Sequence, residues 1–173
     1  MAGNMIIRTI EIGLFAGILI HAIDGLFLTF SNKKARPVGY AVNHQSKNSS
    51  WFSRNMGLTG SVIFVFLVIH MKTFFVNFRF GHLEETMAQN VAKAFQIPLY
   101  ASFYVFAMVL LGMHLNHGFQ SSFQTLGLNN KKYKGTVKYI GTFVALLFMI
   151  GFASFPIILY FDLFGVATNI LGQ

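Results

Sequence analysis

Two histidines in long apolar stretches of this 173-residue chain are placed where they could bind a metal or a prosthetic group. His21 lies in "LIHAIDG" and His114 in "GMHLNHG", and a glycine, Gly25 or Gly118, follows each histidine four residues later. Residues four apart share one face of a helix, so each glycine leaves room beside its histidine for a flat macrocycle. Because imidazoles from two helices can be the axial ligands of a haem b, this pair predicts such a site.

Two further histidines, His70 and His117, lie in the same kind of surroundings. We expect His117, which shares a helix face with His114, to hydrogen-bond a haem propionate, a loop or water. A zinc site would need three or four ligands, and the chain has no cysteine to supply thiolates. The alternative for each histidine is a polar contact between packed helices, where small residues at every fourth position are also common.

Composition places these histidines in membrane-spanning helices. Hydrophobic residues make up 54% of the chain and charged residues only 10%, with a mean hydropathy of +0.58. Four continuous apolar stretches are each long enough to cross a bilayer, which takes about 20 helical residues. The sequence therefore predicts one all-α membrane domain over 1–173, a polytopic transmembrane helical bundle. Its four helices are expected at about 6–30, 57–78, 97–122 and 139–161.

Basic residues are concentrated in the loops 31–56 and 123–138, which should lie on one side of the membrane. These residues are Lys33, Lys34, Arg36, Lys47, Arg54, Lys131, Lys132, Lys134 and Lys138. Since basic loops face the cytoplasm, both termini are expected outside, and the net charge of +8 reflects orientation rather than nucleic-acid binding. At the helical rise, His21 lies roughly 13 Å and His114 roughly 12 Å from the cytoplasmic side, whereas His70 lies roughly 20 Å from it, in the outer half.

Three histidine-centred stretches closely resemble one known family. "LIHAIDGLFLTF", "FLVIHMKTFF" and "GMHLNHGFQSSFQTLGLNNK" are similar to the di-haem cytochrome b membrane-anchor subunit of bacterial succinate:quinone oxidoreductases, the succinate dehydrogenases and fumarate reductases. The loop "NKKARPVGYAVNHQSKNSSWFSRNM" is most similar to the Bacteroidetes branch. The resemblance extends from about residue 6 to the end of the fourth helix.

The family has five transmembrane helices and two haems b, each held by two histidines. By position, the resemblance implies that His21 and His114 bind the proximal haem and that His70 is one ligand of the distal haem. The other distal ligand lies on the family's first helix, which this sequence lacks. We therefore expect one haem b, and a second if a helix ahead of Met1 is supplied. An N-terminal truncation and a true four-helix variant both stay open.

The resemblance also implies a role in electron transport in the bacterial inner membrane, in the tricarboxylic acid cycle. A flavoprotein subunit would oxidise succinate, an iron–sulfur subunit would pass the electrons on, and this subunit would deliver them through haem to a membrane quinone, expected to be menaquinone. The basic loops would dock those subunits and anionic lipids. Lys72 and Glu11 are weak candidates for proton handling at the quinone site. Lys72 could instead extend its amine to the membrane surface.

Two other functions are compatible with the same residues. A redox cytochrome of the formate dehydrogenase or ascorbate-reducing type would bind haem with a different histidine spacing. A haem-free small transporter or membrane assembly protein would use its histidines to pack helices or carry protons.

Overall fold

The computed structural model describes residues 4–35, 49–81, 85–128 and 130–172, without the side chain of Phe52. Regular structure within these residues is entirely helical. Four of the described helical segments are long and apolar enough to cross a membrane: Met5–Lys34, Met56–Phe80, Pro98–Thr125 and Lys134–Tyr160. The predicted all-α transmembrane fold is confirmed. The chain divides into two compact units, Met1–Phe64 and Val65–Gln173, which are described in turn.

The first unit is built on helix α1, Met5–Lys34. The side chain of Asn4 caps its first turn, with Oδ1 accepting a hydrogen bond from the backbone N–H of Ile6 at 2.9 Å. Lys33 and Lys34 lie in its last turn, where positive charge is favourable beside the free carbonyls. No residue of α1, which is described throughout, is buried. An apolar helix with this exposure requires lipid or another apolar partner around it.

The first unit also contains the short helix α2, Trp51–Arg54, and the beginning of α3, Met56–His70. Helices α1 and α3 approach closely at Gly57, where an added Cβ would lie 2.6 Å from Oγ1 of Thr29. The Thr29 hydroxyl donates a hydrogen bond to the carbonyl of Gly25 at 2.7 Å, so its polar group is satisfied inside its own helix. The missing side chain at Gly57 is what permits this contact.

The second unit begins within α3, which continues into a π-helical segment, Met71–Val76. The remaining helices are α4 (Asn77–Phe80), α5 (Met87–Phe95), α6 (Pro98–Thr125), α7 (Lys134–Tyr160) and α8 (Val166–Leu171), with a 3-10 turn at Leu163–Gly165. Helix α5 starts with a capping box, in which Thr86 and Gln89 satisfy each other's backbone N–H groups. Pro98 begins α6, where its missing N–H costs nothing.

Two of the spanning helices extend beyond the predicted apolar stretches. Helix α1 continues to Lys34 rather than ending near residue 30, and α7 begins at Lys134 rather than near 139. Hydropathy marks only the part of a helix within the hydrocarbon. Lysine-bearing turns continue the helix into the more polar interface, because the long side chains reach water there.

Helices α6 and α7 pack together through two glycines. An added Cβ on Gly112 would lie 2.8 Å from Cβ of Met149, and one on Gly141 would lie 2.6 Å from Cδ1 of Phe119. Small residues let helix backbones approach closely in membranes, where packing rather than water exclusion drives association. These two contacts fix the register of the helix pair.

An aromatic core lies near the beginning of α6, where the short helices α5 and α8 also pack. Its buried members include Phe66, Phe74, Phe95 and Tyr104. The chain reverses after α7 through left-handed residues, with φ of 47° at Asp162. The Asp162 carboxylate then accepts hydrogen bonds from the first N–H groups of α8, including that of Ala167 at 2.7 Å.

Candidate functional site

The structure places the four predicted site histidines on three spanning segments. His21 is exposed on α1, in the first unit, while His70, His114 and His117 are half-buried in the second unit. Within the described ranges, no three His, Cys, Asp or Glu residues are gathered as a metal site. His21 lies on α1 and His70 on α3, whereas His114 and His117 both lie on α6.

Space is open beside the histidine of α6. No atom of the described part of the second unit lies within 4 Å of a Cβ built on Gly118, one turn beyond His114. Gly112 and Gly141, in the same pair of helices, are both in close contact. The Nδ1 atom of His114 is itself shielded from solvent. Gly118 is therefore not part of the close contact between α6 and α7 that requires glycine at positions 112 and 141.

The glycines around His21 are open in the same sense. Among the described residues of the first unit, nothing approaches within 4 Å of a Cβ built on Gly13, Gly17 or Gly25. These glycines follow the face of α1 that carries His21. A lipid-facing helix without a cofactor would leave its glycines equally open. The difference between Gly118, which is open, and Gly112, which is packed, is therefore better evidence for a cofactor site than the open glycines of α1.

A polar cluster lies next to His117 and joins α6 to α7. The side-chain oxygen of Asn116 accepts hydrogen bonds from Nε2 of Gln120 at 2.7 Å and from the hydroxyl of Thr142 at 3.3 Å. Sequence reasoning did not single out these residues. The signal available was three polar side chains within apolar stretches, where unsatisfied polar groups are unfavourable.

His70 is held by a chain of hydroxyl groups from α6. Its Nδ1 lies 3.4 Å from the hydroxyl of Tyr104, which lies 2.8 Å from the hydroxyl of Tyr100. The imidazole also contacts the rings of Phe66 and Phe74, with centroids 5.8 and 5.4 Å away. Both tyrosines were missed by sequence reasoning. Their i, i+4 spacing at the beginning of an apolar stretch is the signal that could have revealed them.

The helix changes its winding directly after His70. Residues Met71–Val76 form a π-helix, a rare conformation that often marks functional segments. The carbonyl of Thr73 in this segment accepts side-chain hydrogen bonds from Asn77 at 3.0 Å and from Asn90 of α5 at 3.4 Å. The altered winding is thus supported by polar contacts on two sides.

The two weak candidates for proton handling lie in different units. Lys72 is exposed within the π-helical segment, two residues beyond His70, and Glu11 is half-buried on α1. Proton handling by Lys72 and by Glu11 therefore stays a prediction.

An open groove lies beside the second basic loop, where α6 ends and α7 begins. Its polar lining consists of Gln120, Gln124, Lys134 and Lys138. The one ion pair among the described residues joins Lys93 to Glu85 at 2.5 Å, elsewhere in the chain. Of the first basic loop, Arg36 and Lys47 lie outside the described residues.

Comparison with known proteins bears on this arrangement. A family model described as "Succinate dehydrogenase/Fumarate reductase transmembrane subunit" matches residues 32–150. The match includes His70, His114 and His117, whereas His21 precedes it. No curated protein and no solved structure matches the chain. Because the matched residues make up more than half of the sequence and contain two complete spanning segments and most of a third, the chain belongs to the family of succinate dehydrogenase/fumarate reductase transmembrane subunits.

Proposed function

We propose that this chain is the haem b-binding anchor subunit of a succinate dehydrogenase, which passes electrons from the iron–sulfur subunit through haem to membrane quinone. Membership of the family of succinate dehydrogenase/fumarate reductase transmembrane subunits supports the assignment to such a complex. The observation that carries the haem assignment is the open space at Gly118, one turn from His114, on a helix whose other glycine, Gly112, is tightly packed against α7.

We assign His21 and His114 as the ligands of the proximal haem. Gly25 and Gly118 leave room for the macrocycle, because neither has a neighbour within 4 Å among the described residues of its own unit. His117, one turn from His114 on the same helix, would hydrogen-bond a propionate rather than bind iron. Two ligands on one face of one helix would approach the metal from the same side.

We assign His70 to a distal haem in the outer half of the membrane. Its ring is held among Phe66, Phe74 and Tyr104, as a ligand of fixed orientation requires. The second ligand of that haem would come from a further helix, as the resemblance to the five-helix family implies.

When bound, a haem b takes up and releases one electron at a time. The chain would supply the imidazole ligands, an apolar surrounding and fixed positions for the cofactor. With two histidines holding it, the haem would serve electron transfer rather than oxygen binding. At the outer side, Lys72 and Glu11 are the side chains proposed to handle protons of the quinone, which would be menaquinone.

We assign the basic loops to the cytoplasmic face of a bacterial inner membrane. There they would contact the flavoprotein and iron–sulfur subunits and anionic lipid head groups. The sequence from Thr86 to Phe161 contains no Asp or Glu. The lysines of the second loop thus have no acidic neighbour along the chain, and their charge favours an anionic surface outside it.

Haem stoichiometry tests the assignment. In the purified complex, a pyridine haemochrome assay and a reduced-minus-oxidised spectrum should show low-spin haem b. His21→Ala and His114→Ala should each abolish the proximal haem, because either leaves a single axial ligand. Asn116→Ala, two residues from His114, is the matched control and should keep the haem. A normal low-spin spectrum in either histidine variant would refute the pairing.

A haem-free transporter or assembly protein is the second candidate. The contacts His70–Tyr104 and Asn116–Thr142 favour it, because they are polar contacts of the kind that packs membrane helices. A colourless preparation that takes up no added haem would support this function over electron transfer.

A further inference from the structure

We propose that Tyr104 is a positioning residue that fixes the tautomer and ring orientation of His70, leaving Nε2 as the nitrogen that binds iron. This inference rests on the proposed function, in which His70 is a haem ligand. It assigns a role to a side chain that touches neither iron nor quinone in that proposal.

The direction of the hydrogen bonds follows from the chemistry of imidazole. A neutral histidine that binds a metal through Nε2 carries its proton on Nδ1, which must then donate. In this structure Nδ1 faces the Tyr104 hydroxyl at 3.4 Å, at the long end of the hydrogen-bond range. The Tyr104 oxygen can accept a hydrogen bond from Nδ1–H, because the Tyr104 O–H can itself donate to the hydroxyl oxygen of Tyr100, 2.8 Å away. The chain of donors therefore runs from His70 through Tyr104 to Tyr100.

Tyr104 is rigid enough to orient another side chain. It is 4% exposed, and its ring is enclosed by those of Phe66, Phe95 and Tyr100, with centroids 4.9, 5.0 and 4.7 Å away. Close packing of this kind leaves a side chain few alternative rotamers. The hydroxyl is thus fixed in space by the aromatic core rather than by its hydrogen bonds alone.

A second ring contact with His70 comes from its own helix. Phe74, 7% exposed within the π-helical segment, meets the imidazole edge to face. The carbonyl of Thr73 in the same segment is bonded by Asn90 of α5. The imidazole therefore contacts the rings of both Phe74 and Tyr104, which themselves lie 6.1 Å apart, and these contacts restrict rotation about its side-chain bonds.

An acceptor at Nδ1–H makes the ligating nitrogen more basic. A more basic ligand favours ferric over ferrous iron, so the tyrosine should lower the midpoint potential of the distal haem. Tyr104→Phe removes the acceptor and keeps the ring. We expect the haem to be retained, its midpoint potential to shift upward, and its low-spin electron paramagnetic resonance signal to change as the imidazole turns.

Two matched variants separate the hydrogen bond from packing. Phe95→Leu loosens the same aromatic core without removing a polar atom, and should shift the potential less than Tyr104→Phe does. Tyr100→Phe removes the acceptor one link further away, and should shift the potential in the same direction by less than Tyr104→Phe. Nitrogen-15 NMR of His70 in haem-free full-length protein should show the Nδ1–H tautomer, with loss of that preference in Tyr104→Phe.

The outcomes distinguish this inference from the function beneath it. If His70→Ala loses a haem while Tyr104→Phe changes neither potential nor tautomer, the positioning role is wrong and the haem assignment stands. If His70→Ala loses no haem, both the distal haem and the role of Tyr104 are wrong. An equal shift of the midpoint potential in Phe95→Leu and Tyr104→Phe would mean that packing alone, and not the hydrogen bond, causes the shift. That result would overturn the inference.

Discussion

The ring of Phe119 rests against the bare backbone of Gly141, so closely that a Cβ on the glycine would lie 2.6 Å from Cδ1 of the ring. Gly118, the residue before Phe119, has open space around it instead. Neighbouring positions on α6 thus face two different environments, a packed helix and a space that the second unit leaves free. This difference separates glycines that hold the fold from one proposed to admit a cofactor.

Gly118→Leu should remove the proximal haem while leaving the protein folded. The new side chain would occupy the space beside His114 without meeting any described residue of its own unit. Gly151→Leu is the control, because Gly151 is equally open and lies on α7, a helix that carries no histidine. Haem per polypeptide, measured against expression in the membrane, checks the result. Full haem content in Gly118→Leu would contradict the assignment of this space.

Gly112→Val should destabilise the helix pair, because its added methyl groups would overlap Met149. Overpacking of this kind typically costs about 1–3 kcal/mol. The measurement is the unfolding transition in detergent or lipid discs. Gly135→Val, at an open position near the beginning of α7, should change it little. Equal stability of the two variants would show that the α6–α7 contact tolerates a side chain.

The hydrogen bond between Asn116 and Thr142 should contribute modestly to helix association. Double-mutant cycles in membrane proteins average about 0.6 kcal/mol for such contacts, and reach about 1.7. We expect Asn116→Ala and Thr142→Val to show a coupling energy within that range when unfolding of both single variants and the double variant is compared. Strictly additive effects would mean that the two side chains do not interact in the membrane.

His117→Ala should keep a low-spin haem with a changed midpoint potential. The histidine lies one turn from His114, where it is proposed to hydrogen-bond a propionate and so to affect the charge near the iron. A spectroscopic redox titration of the complex measures the shift. Complete loss of the haem signal would instead identify His117 as a ligand.

Protonation of Asp162 should weaken the last helix. The Thr168 hydroxyl, followed by its backbone N–H and that of Ala167, donates hydrogen bonds that lower the pKa of this carboxyl from its ordinary value of 3.8. A lowered pKa stabilises the folded state above the unfolded-state value, and that contribution disappears as the pH falls through the folded-state pKa. The thermal stability of wild type should therefore exceed that of Asp162→Asn at pH 7, and the difference should shrink towards pH 3. A constant difference would rule out this carboxylate as its source.

The four spanning segments could be predicted because continuous hydropathy depends on residue type alone. The lysine-bearing ends of α1 and α7 could not, because Lys34 and Lys134 belong to helical turns that extend past the hydrocarbon. Helix α5 was missed as well, although Thr86 and Gln89 form a capping box that is readable from the sequence.

The candidate site was predictable only in part. Histidine and glycine spacing indicated His114 and Gly118, because their relation lies within one helix. The role of Tyr104 depends on which face of α6 meets His70, and that is a property of packing between helices. The pairing of His21 with His114 stays a prediction, since the two residues lie in different compact units.

The π-helical segment Met71–Val76 has a consequence for relatives of this chain. Each of its turns closes on the fifth residue along rather than the fourth, so the segment accommodates one residue more than regular α-helical winding would. A homologue that lacks one residue here could rewind as plain α-helix and still direct Phe66 and Asn77 as this chain does. Single-residue gaps in an alignment should therefore concentrate between Met71 and Val76, and a gap there need not signal a lost membrane span.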